Sequence, residues 1–335
     1  MESAQLKSSV ANLLCEAGIG PGEWDISPVD GGGNNRVFSV RTQNSTYLAK
    51  VYYSNPDDTR NRLGSEYAFL SYARKRGIGC VPEPLFCSPQ KNMGLYEFVE
   101  GRKLASSELD RQYVMQAAGF VRQLNAGAGR DPDLPTASEG CFSLAQHFSL
   151  IDRRIERLQG MPVDSKIDRE ASAFVDEIRG AWGKIKGAIS AKNNFLSTDL
   201  DFEDRCISPS DFGFHNALLR NSGAVCFIDF EYAGWDDPAK MIGDFFSQPA
   251  IPVSLDHFDA FVSESLSYSK NREALAMRAR LLFPAFRIKW CCIMLNEFLP
   301  DAAKRRRFAN PTLEPEQSKR LQLEKAQQFF NSQPG

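Results

Sequence analysis

Apolar and polar residues alternate along the first hundred residues in the manner of a small antiparallel sheet. Residues 24–53 form runs rich in β-branched and aromatic residues, with a glycine cluster at one turn and Gln-Asn-Ser at the next. The apolar positions of residues 57–77 recur at three- and four-residue steps, which predicts a helix. Residues 80–104 then predict a strand, a hairpin and a second strand. This part of the chain therefore predicts a sheet with one main helix.

After about residue 100 the hydrophobic pattern becomes mainly helical. Six segments carry this period: 108–127, 143–159, 166–190, 254–268, 271–299 and 314–331. Residues 208–238, between the third and fourth segments, form an island of strand and loop. The predicted fold class is α+β, a bilobal arrangement with a sheet-rich N-terminal lobe in residues 1–100 and a larger helical lobe in residues 101–335.

Composition narrows the class of protein. The chain has 335 residues, of which 42% are hydrophobic and 24% charged, as is ordinary for a soluble globular protein. A net charge of −2 gives no general reason to expect binding to nucleic acid or to a membrane. The polar N-terminus lacks the apolar core of a signal peptide, so we expect a cytoplasmic protein. The eight cysteines are scattered without a C-x-x-C pair, which favours free thiols over a zinc site.

The island contains three residues suited to phosphoryl transfer. Asp211 is followed five positions later by Asn216, and a short apolar strand then leads to Asp229. Each of these residues alone is well explained as a helix cap or a turn residue. Together they offer one carboxylate to orient an attacking hydroxyl, and two oxygen-bearing side chains suited to Mg²⁺.

Two features of the front lobe fit the same chemistry. Lys50 lies within a strand and precedes a helix that carries Glu66, and a lysine–glutamate pair of this kind holds the ATP phosphates in kinases. The alternative is a solvated strand lysine and a solvent-facing helix glutamate. The glycine turn in residues 30–35 allows backbone amides to approach a phosphate, although a plain hairpin turn uses the same residues.

This order of motifs resembles the protein-kinase-like superfamily, and more narrowly the aminoglycoside phosphotransferase and choline/ethanolamine kinase family. The segment FIDFEYAGWDDPAKMIGDFF is the most similar stretch, and the resemblance covers most of residues 24–250. It implies an enzyme that uses ATP and Mg²⁺, with Asp211 as the catalytic residue and Asn216 and Asp229 as metal ligands. The nucleotide-binding residues that it implies are Gly31, Gly32, Gly33, Asn34, Asn35, Lys50, Glu66, Glu97, Phe98 and Val99, the last three at the hinge that would meet the adenine.

The chain departs from the family pattern in two places. Pro209 stands where the family usually has a histidine, two residues before the catalytic aspartate, and the glycine turn is not G-x-G-x-x-G. A third feature separates it from protein kinases, because no long activation segment with Ala-Pro-Glu follows Asp229. The sequence therefore predicts a small-molecule acceptor with a hydroxyl group.

The class of acceptor stays open at this stage. Glu231, Trp235 and Trp290 are candidate substrate residues, because two tryptophans could form an aromatic cage for a quaternary amine. Arg287, Lys289 and the basic run 304–307 would instead suit an anionic acceptor, unless residues 283–301 are only an amphipathic core helix. A catalytically silent nucleotide-binding module is the alternative function, and nucleotidyl transfer is a third. The pattern does not separate antibiotic modification from metabolism.

Overall fold

The computed structural model describes residues 3–20, 22–29, 35–55, 58, 60–127, 134–192, 198–301 and 314–332. Within these ranges the chain is a mixed α/β protein with a five-stranded antiparallel sheet followed by a mainly helical region. The strands are β1 (Trp24–Pro28), β2 (Arg36–Thr42), β3 (Thr46–Val51), β4 (Pro84–Ser88), β5 (Met93–Glu97), β6 (Cys206–Ser208), β7 (Ala217–Leu219), β8 (Val225–Phe227) and β9 (Gly234–Asp236). The helices are α1 (Ser3–Glu16), α2 (Arg62–Lys75), α3 (Arg111–Asn125), α4 (Leu144–Gln159), α5 (Lys166–Ala191), α6 (Pro238–Ser247), α7 (Phe258–Ser265), α8 (Arg272–Met294) and α9 (Pro315–Asn331).

The large sheet has the strand order β1-β2-β3-β5-β4, which places β3 at its centre. Lys50 of β3 lies opposite Val37 of β2 and Gly94 of β5. A central strand is hydrogen-bonded on both edges, so the backbone position of Lys50 is fixed by two neighbours. The predicted helix over residues 57–77 begins only at Arg62, where the Asn61 side chain accepts a hydrogen bond from the Gly64 amide.

Two small antiparallel pairs follow within the helical region. Strand β7 pairs with β8 in a hairpin, and β6 pairs with β9. The hairpin is joined to the large sheet through residues 98–102, because Arg102 and Leu219 exchange backbone hydrogen bonds of 3.0 and 2.8 Å. This connection places the hairpin beside the end of the sheet.

Buried apolar side chains form two clusters. The smaller cluster lies between α1 and the sheet, with Leu13, Val40 and Leu95 among its members. The larger cluster fills the helical region, and it also takes in the buried face of α2. None of the described helices is long and apolar enough to cross a membrane. All eight cysteines are free thiols.

Candidate active site

Lys50 and Glu66 form a buried ion pair. The Lys50 Nζ donates to Glu66 Oε2 at 2.7 Å, and the Tyr52 hydroxyl donates to the same oxygen at 2.6 Å. Burial lowers the pKa of Lys50, but the charges of Asp229 and Glu66 raise it by more, so the pKa of Lys50 lies well above its ordinary value. The predicted pairing of a strand lysine with the glutamate of the next helix is therefore present in the structure, and the lysine carries a permanent positive charge.

Lys50 also donates to Asp229 Oδ1, which joins the sheet to the loop that follows β8. The Asp229 carboxylate is 37% exposed, whereas the Lys50 side chain is almost entirely buried. Glu66 reaches the same loop, because the Phe230 amide donates to Glu66 Oε1 at 3.2 Å. Three charged side chains that are far apart in the sequence thus converge at one point.

Asp211 and Asn216 lie on the loop between β6 and β7. The Asn216 Nδ2 donates to the Asp211 carbonyl oxygen at 3.1 Å and lies 3.4 Å from Asp211 Oδ2. The Ile228 amide donates to the Asn216 carbonyl at 2.9 Å, so the β7–β8 hairpin holds Asn216 beside the residue that precedes Asp229. His215 Nε2 is 3.4 Å from Asp211 Oδ1, a contact that the sequence did not suggest.

The oxygens at this point fit a hard cation. Asn216 Oδ1 and Asp229 Oδ2 accept no hydrogen bond from any other residue that the structure describes, and both side chains are partly exposed. Mg²⁺ prefers oxygen ligands and is commonly held by one or two protein groups together with phosphate oxygens. Within the described ranges, no group of three or more His, Cys, Asp or Glu side chains is placed to hold a metal. A metal held here would therefore depend on one carboxylate, one amide and the oxygens of its partner ligand.

The remaining predicted nucleotide residues have different placements. Gly31, Gly32, Gly33 and Asn34 lie outside the described residues. Asn35 is buried, and its Nδ2 donates to Glu231 Oε2 at 2.6 Å while its Oδ1 accepts from the Tyr53 amide at 3.1 Å. Its side chain thus links the sheet to the segment after Asp229.

The predicted hinge begins where β5 ends. Glu97 closes the strand by pairing with Glu83, whose carbonyl accepts from the Glu97 amide at 2.8 Å. Phe98 and Val99 follow, half-buried, and lead into the backbone pairing of Arg102 with the hairpin. This segment is the part of the chain that connects the sheet to the helical region.

A cavity of about 390 Å³ opens beside Asp211. Its wall combines loop residues with side chains from four helices, and few of them are aromatic. Its lining includes Glu139, Arg154, Asp211, Lys240, Asp244, Lys289 and Trp290. Because Asp211 lies on the wall, a molecule in the cavity would be next to the predicted catalytic carboxylate.

The structure separates the three predicted substrate residues. Trp290 lines the cavity, but its indole Nε1 donates to Asp244 Oδ1 at 2.9 Å. Trp235 belongs to β9 and packs against Phe202, with ring centroids 4.8 Å apart, and it is not among the described residues that line the cavity. Glu231 is buried against Asn35 and Arg62 rather than on the cavity wall. The expected cage of two tryptophans is therefore not formed, because strand pairing takes Trp235 elsewhere.

Several charged residues of the cavity were not predicted. Glu139 precedes α4, Arg154 is on α4, and Lys240 and Asp244 are on α6. Arg154 Nη2 donates to both Glu139 oxygens at 2.5 Å. Lys289 Nζ donates to both Asp244 oxygens at 2.7 Å, which links α8 to α6. Lys240 and Asp244 lie within the segment that resembles the family, whereas no local pattern marks Glu139 and Arg154, since the cavity exists only once separate elements have packed together.

The central sheet, the buried lysine pair and the Asp-Asn-Asp arrangement together define a phosphotransferase. A sequence model of the phosphotransferase enzyme family matches residues 25–244, and the chain belongs to this family. The family predicted from the motifs is confirmed, as is the prediction of a small-molecule phosphotransferase that uses ATP. A comparison with curated protein sequences found no match.

Solved structures share the fold at low sequence identity. A choline/ethanolamine kinase family protein from Mesorhizobium loti is 16% identical with a TM-score of 0.61, and the alignment covers 98% of this chain and 95% of that chain. Choline kinase from Cryptosporidium parvum is 13% identical with a TM-score of 0.60, covering 97% and 100%. A spectinomycin phosphotransferase in complex with ADP and spectinomycin is 10% identical with a TM-score of 0.57, covering 96% and 98%.

Proposed function

We propose that this protein is a kinase that transfers the γ-phosphoryl group of ATP, with Mg²⁺, to a hydroxyl group of a small metabolite. The observation that carries the proposal is that Lys50 contacts both Glu66 and Asp229. Ile228, the residue before Asp229, is hydrogen-bonded to Asn216 on the loop that also carries Asp211. A catalytically silent module would have no chemical need for all of these groups together. The structural neighbours, two choline or ethanolamine kinase family proteins and a spectinomycin phosphotransferase, support a small-molecule acceptor.

Each residue would have a distinct role. Asp211 would orient the acceptor hydroxyl and accept its proton as the new oxygen–phosphorus bond forms and the bond to ADP breaks. Lys50 would hold the phosphates by its charge, with Glu66 and the Tyr52 hydroxyl fixing its ammonium group. Asn216 and Asp229 would hold Mg²⁺, which when bound neutralises charge on the phosphates. Residues 31–35 and the hinge residues 97–99 would contact the nucleotide.

The proposed arrangement has two lobes, residues 1–100 and residues 101–335. The sheet with α1 has an apolar cluster of its own, which supports this division, while α2 packs into the larger cluster and links the two lobes. The nucleotide would lie between the lobes, where Lys50 on the sheet contacts Asp229 on the helical side. The short connection from Asp229 to α6, residues 230–237, leaves no platform for a peptide and so favours a small acceptor.

The direct test incubates purified protein with Mg²⁺·ATP and pooled hydroxyl metabolites, including choline, ethanolamine, amino sugars, sugars and homoserine. Mass spectrometry would detect the products, since phosphate adds to the acceptor in kinase chemistry and AMP adds in nucleotidyl transfer. We expect Asp211→Asn to abolish product while leaving the ATP-dependent rise in melting temperature intact. Asp229→Asn and Asn216→Ala should weaken that rise, because each removes one oxygen ligand.

Asp259→Asn is the matched control, because Asp259 is exposed and, within the described ranges, its one ion pair is with Arg280. It should change neither product nor nucleotide binding. Transfer at the wild-type rate by Asp211→Asn would refute the assigned role. Product formation would identify an active kinase, whereas nucleotide binding without any product would favour the silent module. Absence of both product and nucleotide binding would refute the proposed function.

A further inference from the structure

Three cationic side chains from three different helices line the cavity beside Asp211. We call Arg154 of α4, Lys240 of α6 and Lys289 of α8 the basic wall. Lys240 and Lys289 are at least 96% buried, and Arg154 is 88% buried. A charged side chain is stable in so buried a position only when ion-pair partners or a bound ligand offset its cost of desolvation.

The acidic residues near the basic wall are paired with its cations. Both oxygens of Glu139 accept from Arg154. Asp244 Oδ1 accepts from Lys289 and from the Trp290 indole, and Asp244 Oδ2 accepts from Lys289 and lies 3.4 Å from Lys240. Asp236 Oδ2 accepts from Lys240 at 2.6 Å. Each cation of the basic wall therefore has a carboxylate partner, and these carboxylates are less available to a cationic substrate.

The cations retain unused donors. Arg154 Nε is buried and has no hydrogen-bond partner among the residues that the structure describes. An ammonium group has three N–H donors, and among the residues that the structure describes the Lys289 Nζ donates only to Asp244. The wall thus presents donor hydrogens without matching acceptors, and a buried donor without a partner is unfavourable until an acceptor arrives.

Burial and neighbouring charges shift the pKa values of the charged groups in the cavity. Burial lowers the pKa of Lys289, Asp244 raises it and Lys240 lowers it again, so that the pKa lies below its ordinary value. Burial raises the pKa of Glu139, but the charges of Arg154 and Lys289 lower it below its ordinary value. Because Asp236 pairs with Lys240, the three cations of the basic wall face three carboxylates, and it is the unused N–H donors that favour an anion here.

We infer that the acceptor carries an anionic group, a carboxylate or a phosphate, which the basic wall binds while its hydroxyl lies at Asp211. This inference rests on the proposed function and adds the class of acceptor to it. Arg154 offers the planar donor edge that suits such oxygens. A quaternary amine would find neither a cage, because Trp235 is not on the described wall, nor a free carboxylate at Glu139 or Asp244.

The test measures binding without nucleotide, so that it does not depend on catalysis. Calorimetry would compare ligands that share a scaffold and differ in charge: glycerate with glycerol, serine with ethanolamine, and glucuronate and glucose 6-phosphate with glucose and glucosamine. We expect at least one anionic member to bind about tenfold or more tightly than its neutral or cationic counterpart, as one charge-assisted contact supplies. Glucuronate and glucose 6-phosphate distinguish carboxylate from phosphate. No anion preference in any set would overturn the inference.

Variants assign the preference to the basic wall. Arg154→Gln should reduce the anion preference by about tenfold or more, and Arg154→Lys should restore part of it. Arg153→Gln is the matched control, since it removes the same charge from the exposed neighbouring residue, which contacts Ser149. It should have no effect. Melting temperatures of all variants would identify a folding defect. If Arg154→Gln is destabilised, the ligand preference of the wild type and the affinity of Arg154→Lys for anions still test the inference.

Lys50→Met separates this site from the proposed phosphate lysine. Anion binding that survives Arg154→Gln but disappears in Lys50→Met would overturn the inference. The same samples test the proposed function through Mg²⁺·ATP binding and phosphoryl transfer. Nucleotide binding with transfer only to cationic acceptors would refute anion binding by the basic wall and would support the proposed kinase activity. Anion preference without any nucleotide binding would support anion binding by the basic wall and would refute the proposed kinase activity.

Discussion

Ser210 and Asp211 both adopt left-handed backbone conformations, with φ values of 50° and 41°. Glu139 and Asp229, at 58° and 69°, do the same on the cavity wall and at the lysine contact. Residues other than glycine rarely adopt this conformation, although aspartate and asparagine tolerate it better than serine or glutamate. Such residues concentrate where surrounding structure holds a functional side chain in a fixed direction. The loop around Asp211 therefore carries backbone strain next to the carboxylate that we assign to catalysis.

The strain at Ser210 gives a stability prediction. Ser210→Gly should raise the free energy of unfolding by about 1 kcal/mol, because glycine adopts positive φ without the Cβ clash. Ser210→Ala is the matched control, since it removes the hydroxyl and keeps the Cβ, and it should not stabilise. Urea denaturation of both variants measures the difference. Equal stability of the two variants would show that the positive φ of this residue carries no strain.

Individual site residues could be predicted from the sequence where they lie close together within one short segment. The Asp211–Asn216 spacing and the strand before Asp229 lie within one short segment, so they could be recognised directly. The contact of Lys50 with Glu66 depends on which face of α2 points inward, which the pattern only suggests. The charged residues of the cavity come from separate helices, and their proximity is a property of packing that no short motif encodes.

Helix α6 shows how closely two elements of the helical region are packed. A Cβ built on Gly243 would lie 2.1 Å from Phe286 Cδ2 on α8. We expect Gly243→Ala to lower the free energy of unfolding by about 1–3 kcal/mol, because overpacking outweighs the better helix propensity of alanine. Gly180→Ala, at an exposed position of α5 with nothing within 4 Å, should instead stabilise by up to about 1 kcal/mol. Opposite signs in urea denaturation would verify the close packing, and stabilisation by both would contradict it.

The start of α6 predicts acid sensitivity. Asp237 caps the helix through the Ala239 amide at 2.8 Å and accepts from His147 and Arg278. Burial raises the pKa of Asp237, but the hydrogen bond of His147 and the charge of Arg278 lower it to about 2. Because the folded pKa is below the unfolded value, the stabilisation is full above about pH 4 and is lost as the pH falls toward 2.

The corresponding measurement compares the wild type with Asp237→Asn by urea denaturation between neutral pH and pH ~3. Asparagine keeps the capping ability but cannot ionise. The wild type should be the more stable protein at neutral pH, and its advantage should shrink by about 1 kcal/mol by pH ~3. An advantage that stays constant over this range would show that ionisation of Asp237 does not stabilise the fold.

Among elements, the long amphipathic helices could be predicted and the short elements of residues 206–247 were harder to recognise. The helices α4 and α5 alternate buried and exposed faces and were predicted within a residue or two. Helix α6 is ten residues long and fully buried, and its charged residues Lys240 and Asp244 lie on one face. The predicted strand-and-loop island ends at residue 238, and no element is predicted for residues 239–247. Strands β6 and β9 are three residues long, too short for a recognisable alternation. The predicted helix over residues 271–299 ends as α8 at Met294 and continues in a short 3₁₀ turn.

On the scale of the molecule, α2 couples the sheet to the helical region. Phe69 of α2 stacks on Phe230 with ring centroids 4.5 Å apart, and it belongs to the larger hydrophobic cluster. The same helix carries Glu66, which contacts Lys50 on the sheet and the Phe230 amide. The proposed boundary at residue 100 is thus crossed by apolar and polar contacts, and we expect the two proposed lobes to unfold together.

Phe69→Ala tests this coupling. We expect it to lower the free energy of unfolding by about 3–5 kcal/mol, the usual range for a buried phenylalanine. Hydrogen exchange in urea should show peptides of β3 and α8 losing protection at the same urea concentration. Phe261→Ala, within the helical region, is the matched comparison and should shift both peptides as well. Loss of protection in α8 alone would show that the lobes unfold independently.

The residues proposed for phosphoryl transfer and those proposed for acceptor choice have separate origins in the chain. The first set comes from β3, α2 and the loops around the β7–β8 hairpin, and the second from α4, α6 and α8. A descendant of this chain could therefore change its acceptor through substitutions on three helices while inheriting the transfer machinery intact. The same separation gives an enzyme engineer a defined set of positions to randomise, with Asp211 as the one side chain on the cavity wall to leave untouched.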